Sequence, residues 1–342
     1  MEQNSEIIAR AIESSLNIIE QDREKKIISC RFGLSGHKET LEQIGDALSV
    51  TRERVRQLEK VILIRLRISA KEGKISDLPM AEKLIIRNLT ETGRISRIAD
   101  LADKIYGHKA TNAEKANLAF IGEISSNLTV IPENDKYFHG LGIAEYGDEK
   151  GIKAKIDEVV KIIKENKAPL SLNELDAKLD YEHPSHIEAV ASLSKNLATL
   201  NGFWGLSKWP TVNPKNIRDK IYVILENAKQ PMHFNDIAEA IAASNFKRKN
   251  VTIQAIHNEL IKDPRFVLIG RGIYALNSWG FSKGTVSEII VKILKKAGTP
   301  LSREEIVKEV LTSRKVKETT ILLNLQNKEL FKKVDKNHYD LA

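Results

Sequence analysis

Cysteine occurs once in the chain, at Cys30, and that scarcity excludes an internal disulfide framework. A lone thiol suits a reducing compartment, and its neighbours Ile27 and Ile28 suggest a small core residue. Aromatic residues make up only 6% of 342 positions, which fits several small helical cores better than one large sandwich. No apolar run approaches the roughly 18 residues that span a membrane; Val61–Ile64 is typical of the longest. The opening segment MEQNSEIIAR carries no basic-then-apolar leader pattern. The chain is therefore expected to be cytoplasmic, with no membrane partner.

The usual marks of chemistry are missing too. There is no GxxxxGK followed by Ser or Thr, no GxGxxG and no CxxC pair. His183 and His186 stand three apart with no third ligand nearby, so surface or capping roles fit them better than a metal. His233 occupies a position held by serine in two sister segments, which points to helix capping. We find no nucleophile–base arrangement. The expectation is a non-enzyme with no catalytic residue, no cofactor, no metal and no small-molecule substrate.

What the chain does have is basic charge. Lys plus Arg number 54 against 46 Asp plus Glu, a net of +8, which favours polyanionic partners. Hydrophobic residues at 42% are enough for several cores.

The second half repeats. Gly202-Phe203-Trp204-Gly205-Leu206-Ser207-Lys208-Trp209 parallels Gly272-Ile273-Tyr274-Ala275-Leu276-Asn277-Ser278-Trp279, an offset of 279 − 209 = 70 residues. A weaker third copy ends in Tyr339-Asp340-Leu341. Upstream of each lies a Pro segment that runs into a helix start: Ala168-Pro169-Leu170-Ser171, Gln230-Pro231-Met232-His233 and Thr299-Pro300-Leu301-Ser302. Helix, short strand, helix, helix and β-hairpin in that order is the winged-helix plan. Residues Lys83 to Gly142 follow it more loosely, with Thr129-Val130-Ile131 and Tyr137-Phe138 as the expected hairpin. The predicted fold is mainly α: a helix-turn-helix domain over 1–73, then tandem winged-helix modules with small β-hairpins at 77–147, 151–211, 213–281 and 283–342.

Thr40 to Arg67 carries the sharpest pattern. Thr40-Leu41-Glu42-Gln43 is a capping-box start. Leu41, Ile44 and Leu48 share one helix face, Ser49-Val50 makes a turn, and Thr51 caps the next helix. On that second helix Val55, Leu58, Ile62 and Leu66 form a narrow stripe that must face a core. Arg52, Glu53, Arg56, Gln57 and Lys60 then point away from it. Guanidinium, carboxylate and amide groups suit the base edges of a major groove. From Thr51 to Arg67 six basic and two acidic residues give 6 − 2 = +4.

Arg31-Phe32-Gly33-Leu34, Thr40-Leu41-Glu42-Gln43-Ile44-Gly45 and Val50-Thr51-Arg52-Glu53-Arg54-Val55-Arg56-Gln57-Leu58-Glu59 together resemble region 4 of sigma-70-type sigma factors. The resemblance covers about residues 10–70. It implies binding to a −35-type promoter duplex and to the β flap of bacterial RNA polymerase. It further implies that Arg52, Glu53 and Gln57 read bases, and that Thr51, Arg54 and Arg56, with Lys60 beside them, hold the DNA backbone. Lys60-Val61-Ile62-Leu63 stands where the family usually has Ala-Lys-Ala-Leu, and no aromatic-rich helix of the kind that melts a −10 element is present. The likeness is thus to one sigma domain and not to a self-sufficient sigma factor.

Residues 213–281 resemble a second family. Pro231-Met232-His233-Phe234-Asn235-Asp236-Ile237-Ala238, Asp263-Pro264-Arg265-Phe266 and Gly270-Arg271-Gly272-Ile273-Tyr274-Ala275-Leu276 look like the HARE winged helix, which includes the N-terminal domain of the RNA polymerase delta subunit. That implies DNA or polymerase association. From the residues, Thr252 caps a helix whose Ile253, Ile256 and Leu260 should face inward, leaving Gln254, His257 and Asn258 outward. Arg271 projects from a tight wing tip, and Lys247-Arg248-Lys249 could meet phosphates. Ten basic and six acidic residues give this segment 10 − 6 = +4. Gln254, Asn258, Arg271 and the basic trio form a possible second DNA contact. The other wings differ: Glu133-Asn134-Asp135 is acidic, Asn201-Gly202 is a bare two-residue turn, and Lys332, Lys333 and Lys336 make the last one basic.

The expected function is sequence-specific DNA binding in transcription, with double-stranded DNA and bacterial polymerase core as partners. Two rivals stand beside it: a polymerase accessory protein that uses its winged helices for docking, and a DNA-recognition component of a restriction or defence system.

Overall fold

A computed structural model describes residues 2–179, 181, 183–246, 250–281 and 283–342. The chain divides into two compact units, Met1–Lys208 and Trp209–Ala342.

The first unit starts with four helices: α1 (Glu2–Asn17), α2 (Asp22–Phe32), α3 (Leu41–Leu48) and α4 (Arg52–Lys71). A first winged module follows: α5 (Leu78–Glu91), β1 (Ile95–Arg97), α6 (Ile98–Tyr106), α7 (Asn112–Ile124), β2 (Leu128–Ile131) and β3 (Gly140–Ile143). The next comprises α8 (Glu149–Asn166), β4 (Leu170–Ser171), α9 (Leu172–Asp176), α10 (Pro184–Ser192), β5 (Leu197–Leu200) and β6 (Phe203–Leu206).

The second unit repeats the plan twice. Its first module holds α11 (Ile217–Ala228), β7 (Met232–His233), α12 (Phe234–Ala243), α13 (Ile253–Lys262), β8 (Phe266–Gly270) and β9 (Ile273–Leu276). Its second holds α14 (Val286–Ala297), β10 (Leu301–Ser302), α15 (Arg303–Ser313), α16 (Glu318–Leu325), β11 (Phe331–Lys333) and β12 (His338–Leu341). Each module closes a three-stranded antiparallel sheet in which the short strand pairs with the last one: β1-β3-β2, β4-β6-β5, β7-β9-β8 and β10-β12-β11. The mainly α fold, a helix-turn-helix followed by tandem winged modules, is as the sequence predicts.

Local chemistry explains the repeat. The residue ending each of β4, β7 and β10 is also the N-cap of the next helix. Ser171 and Ser302 close capping boxes with Glu174 and Glu305, and His233 does the same job through its ring nitrogen, accepting from the Asn235 N–H. Such caps contribute about 1 kcal/mol each. Asn201 and Gly202, at φ 51° and 81°, form the two-residue turn between Leu200 and Phe203. Positive φ at both positions matches the right-handed twist of the strands, and Asn-Gly reaches it with little strain. In the third module, Trp279 packs with Val267, Ile269 and Ala275 on the hairpin, which gives the repeated tryptophan its role.

One continuous core runs from Ile8 to Ile143, so the helix-turn-helix region and the first winged module share their interior. Ile62 and Leu66 of α4, Ile85 and Leu89 of α5, and Phe120 and Ile121 of α7 all belong to it. Phe32 and Phe120 meet edge to face at 5.1 Å across this seam.

Three local expectations are corrected. Tyr137 and Phe138 are not in the hairpin's second strand, which is Gly140–Ile143. Two glycines lower its strand propensity. Close packing accompanies them: a Cβ on Gly140 would lie 2.5 Å from the end of the Leu193 side chain, which would have to shift. Ile253 is 51% exposed and does not face inward, because it opens α13 one turn ahead of the core at Ile256. His257 is half-buried between the rings of Phe234 and Tyr274 and is not an outward residue.

Candidate nucleic-acid interface

Helices α3 and α4 meet through a tight turn. Ser49 takes φ 54°, and the Val50 N–H donates to the Gly45 carbonyl at 2.9 Å. A Cβ on Gly45 would sit 2.7 Å from the Val50 carbonyl oxygen, so only glycine lets the turn close on α3. Thr40 and Gln43 form the capping box of α3, and the Arg23 guanidinium donates to the Leu48 carbonyl at its far end, at 2.9 Å. Thr51 caps α4 by accepting from the Arg54 N–H at 3.2 Å, which leaves its own O–H free to donate.

Helix α4 buries Val55, Ile62 and Leu66, each no more than 1% exposed, with Leu58 half-buried in the same stripe. Thr51, Arg52, Glu53, Arg54, Arg56, Gln57 and Lys60 are all exposed. The expected base-reading and backbone-holding residues therefore occupy one open surface of the first unit, on a helix held by its core. Glu53 and Arg56 face each other in a two-pronged ion pair at 2.7 and 2.9 Å. That pairing holds the Glu53 carboxyl below its usual range and Arg56 above its own. The pair is fully solvated, so rearranging it to meet a ligand costs little. Arg54 reaches the Gln57 side chain at 3.5 Å, while Arg52 and Lys60 have no side-chain partner among the described residues.

Three further charges of this helix are structural, which spacing alone did not disclose. Arg65 pairs with Glu24, and Arg67 with Glu123 at 2.6 Å. Glu59 accepts from Arg31 at 3.1 Å. Two of the six basic residues in the +4 tally thus tie α4 to α2 and α7.

The winged modules present their corresponding elements very differently. In the first, α7 buries Leu118, Ala119, Phe120, Ile121 and Ile124, one side against its own module and the other against α4 and α1. The hairpin tip is occupied as well: the Phe138 N–H donates to the Leu193 carbonyl, the Lys195 N–H to the Lys136 carbonyl, and Glu133 pairs with Lys195 at 2.7 Å. Arg97 lies 4.1 Å over the Phe138 ring and donates to the Ser192 carbonyl. In the second module α10 buries Ile187, Ala189, Val190 and Ala191 and packs on β1. His183 caps that helix and His186 meets Tyr146 edge to face at 5.6 Å. No group of three or more metal-ligating side chains occurs among the described residues.

In the third module Gln254 and Asn258 stand exposed on α13, hydrogen-bonded to each other at 3.1 Å. Arg271 is exposed at the wing tip. Lys247, Arg248 and Lys249 lie outside the described residues. Cys30 sits at the edge of the first core, and burial pushes its thiol above the usual value, which makes it a poor nucleophile. No described helix is long and apolar enough to cross a membrane.

Two family models match the chain. Residues 21–67 match "Sigma-70, region 4", and residues 217–279 match HARE-HTH, described as an "ASXL, restriction endonuclease HTH domain". The RNA polymerase sigma factor SigA of Clostridium acetobutylicum is 45% identical over 56 residues, which is 16% of this chain and 15% of that protein. The chain therefore spans a small fraction of that relative's length. The likeness falls on the segment that carries α2, α3 and α4.

Proposed function

We propose that this protein is a sequence-specific DNA-binding transcription protein acting at promoters with bacterial RNA polymerase. Helix α4 enters the major groove. Arg52, Glu53 and Gln57 read base edges, while Thr51, Arg54, Arg56 and Lys60 hold phosphates on either side. The observation that carries the reading is the exposure of these side chains on a helix whose opposite stripe is fully buried. The sigma region 4 match over 21–67 supports the same assignment. The chain carries no enzymatic step in this reading.

Binding-site selection tests it. Wild type should return one motif, and Arg52→Ala or Gln57→Ala should return a motif relaxed at a position. One bidentate base contact is worth about 1–3 kcal/mol of discrimination. Identical motifs from wild type and both variants would overturn the reading.

The second reading, docking to polymerase, is favoured by the occlusion of α7 and α10, which suits modules that position protein surfaces rather than enter grooves. The β flap is the partner proposed for the first unit. Retention of wild-type protein on core polymerase in the absence of DNA supports it, and failure to bind core under conditions that retain a sigma factor contradicts it.

A further inference from the structure

The second unit joins its two winged modules by a seam that neither would need alone. The Lys315 N–H, in the segment before α16, donates to the Ile269 carbonyl on the outer edge of β8 at 3.0 Å. The Arg314 guanidinium donates to the Leu268 carbonyl, also at 3.0 Å. Gly270 is at ordinary negative φ, so the turn does not require glycine there. The seam does: a Cβ on Gly270 would stand 2.6 Å from the Lys315 carbonyl oxygen. The wing of the third module is thereby fixed against the start of the last helix of the fourth.

Contacts within the fourth module extend the line. The Arg303 N–H donates to the Asn337 carbonyl at the last wing tip, at 2.8 Å, and the Arg303 guanidinium reaches Glu318 at the start of α16, at 3.3 Å. A single residue thus bridges the wing tip and the helix start. Arg271, Lys315, Lys317, Lys333 and Lys336 lie along this path, all exposed and none with an acidic partner among the described residues. Three carboxylates of these segments are engaged: Glu318 by Arg303, Asp335 by the Asn337 and His338 N–H groups, and Asp340 by Lys332. Residues 283–342 hold 13 basic and 8 acidic side chains, 13 − 8 = +5, an excess no smaller than that of the third module.

The geometry points to a second duplex-binding surface on the second unit, made jointly by the third and fourth modules and directed at DNA phosphates rather than at bases. The free cations are mostly lysines, which act as point charges on flexible stems and suit backbone contact without sequence readout. The seam fixes the backbone that carries Lys315 and Lys317 against the wing that carries Arg271. This surface is independent of base reading by α4; it gives the chain a grip on any duplex.

The test uses the full chain and a short mixed-sequence DNA duplex, with affinity followed by fluorescence anisotropy across a salt series. It is run in the wild type and in the Arg52→Ala/Gln57→Ala background, so the two DNA surfaces are read separately. In both, Lys315→Glu/Lys317→Glu and Lys333→Glu/Lys336→Glu should each weaken binding about tenfold or more at low salt and lower the slope of log K against log salt by roughly 2, at about 0.9 per lost phosphate contact. The preference of the wild type for its selected site should survive these charge reversals. Polyglutamate should bind weakly and compete poorly. Unchanged affinity and slope in both double variants would overturn the proposal, and so would binding to polyglutamate as tight as to the duplex with the same losses. Loss of sequence preference in the Arg52→Ala/Gln57→Ala chain bears on α4 alone.

Discussion

The first and third winged modules are built to the same plan, yet they spend their third helix and wing in opposite ways. In the first, α7 is sandwiched between its own module and α4, and the hairpin tip is clamped by Leu193 and Lys195. In the third, α13 leaves Gln254 and Asn258 in solvent and the tip shows Arg271. The first module works as a brace that fixes the orientation of α4, and the third leaves the corresponding surface open to solvent. The difference lies in what each face meets and not in the fold. The face of α7 that carries Leu118, Phe120, Ile121 and Ile124 finds an apolar neighbour, whereas the amide-bearing face of α13 does not.

The sharpest way to break this comparison is to remove the brace. Phe120→Ala deletes a fully buried ring from the shared core and should destabilise the first unit by about 3–5 kcal/mol. Chemical denaturation should show the helix-turn-helix region and the first module unfolding in one transition; two separate transitions would mean that the core is not shared. Gly93→Ala comes next. Gly93 holds φ +91° and a Cβ would stand 2.5 Å from the Ser185 carbonyl, so strain of about 1–3 kcal/mol should open the α10 seam. A limited-proteolysis rate unchanged between residues 180 and 200 would contradict that.

Gly270→Ala sharpens the other side of the comparison. It should displace the Lys315 segment and forfeit hydrogen bonds worth about 1 kcal/mol each, read as faster amide exchange at Lys315 with α14 and α15 unaffected. The smallest effect concerns pH. The N–H groups of Asn337 and His338, with the His338 ring, hold the Asp335 carboxyl down at about 2. A carboxyl lowered on folding stabilises the wing above its unfolded value near 3.9 and loses that contribution as pH falls toward about 2. Carboxyl chemical shifts followed by NMR should place the Asp335 midpoint below those of unpaired aspartates; a midpoint near 3.9 would contradict the wing geometry.

Much of this architecture is written locally. Thr40 with Gln43, Ser171 with Glu174 and Ser302 with Glu305 announce helix starts because capping is a matter of three residues. Asn201-Gly202 announces its turn for the same reason, and the 3.6-residue stripe of α4 tells which side must be open. What stayed hidden depends on distant partners. Arg65 and Arg67 entered the local charge count as two unassigned cations, and only the fold shows them paired with Glu24 and Glu123. The second hairpin strand, expected at Tyr137-Phe138, falls instead at Gly140–Ile143, whose glycines lie against neighbours far along the chain, Leu193 and Ile95. His257 looked outward by spacing, yet Phe234 and Tyr274 enclose it.

Whether α4 distinguishes one base pair from another is most directly measured by a double-mutant cycle. Affinities of wild type and Gln57→Ala are determined at one salt concentration for the selected sequence and for versions with single base pairs exchanged. The expected result is a coupling of about 1–3 kcal/mol confined to one base pair, at which the variant no longer discriminates. An equal loss of affinity for every sequence would show that this helix grips DNA without reading it.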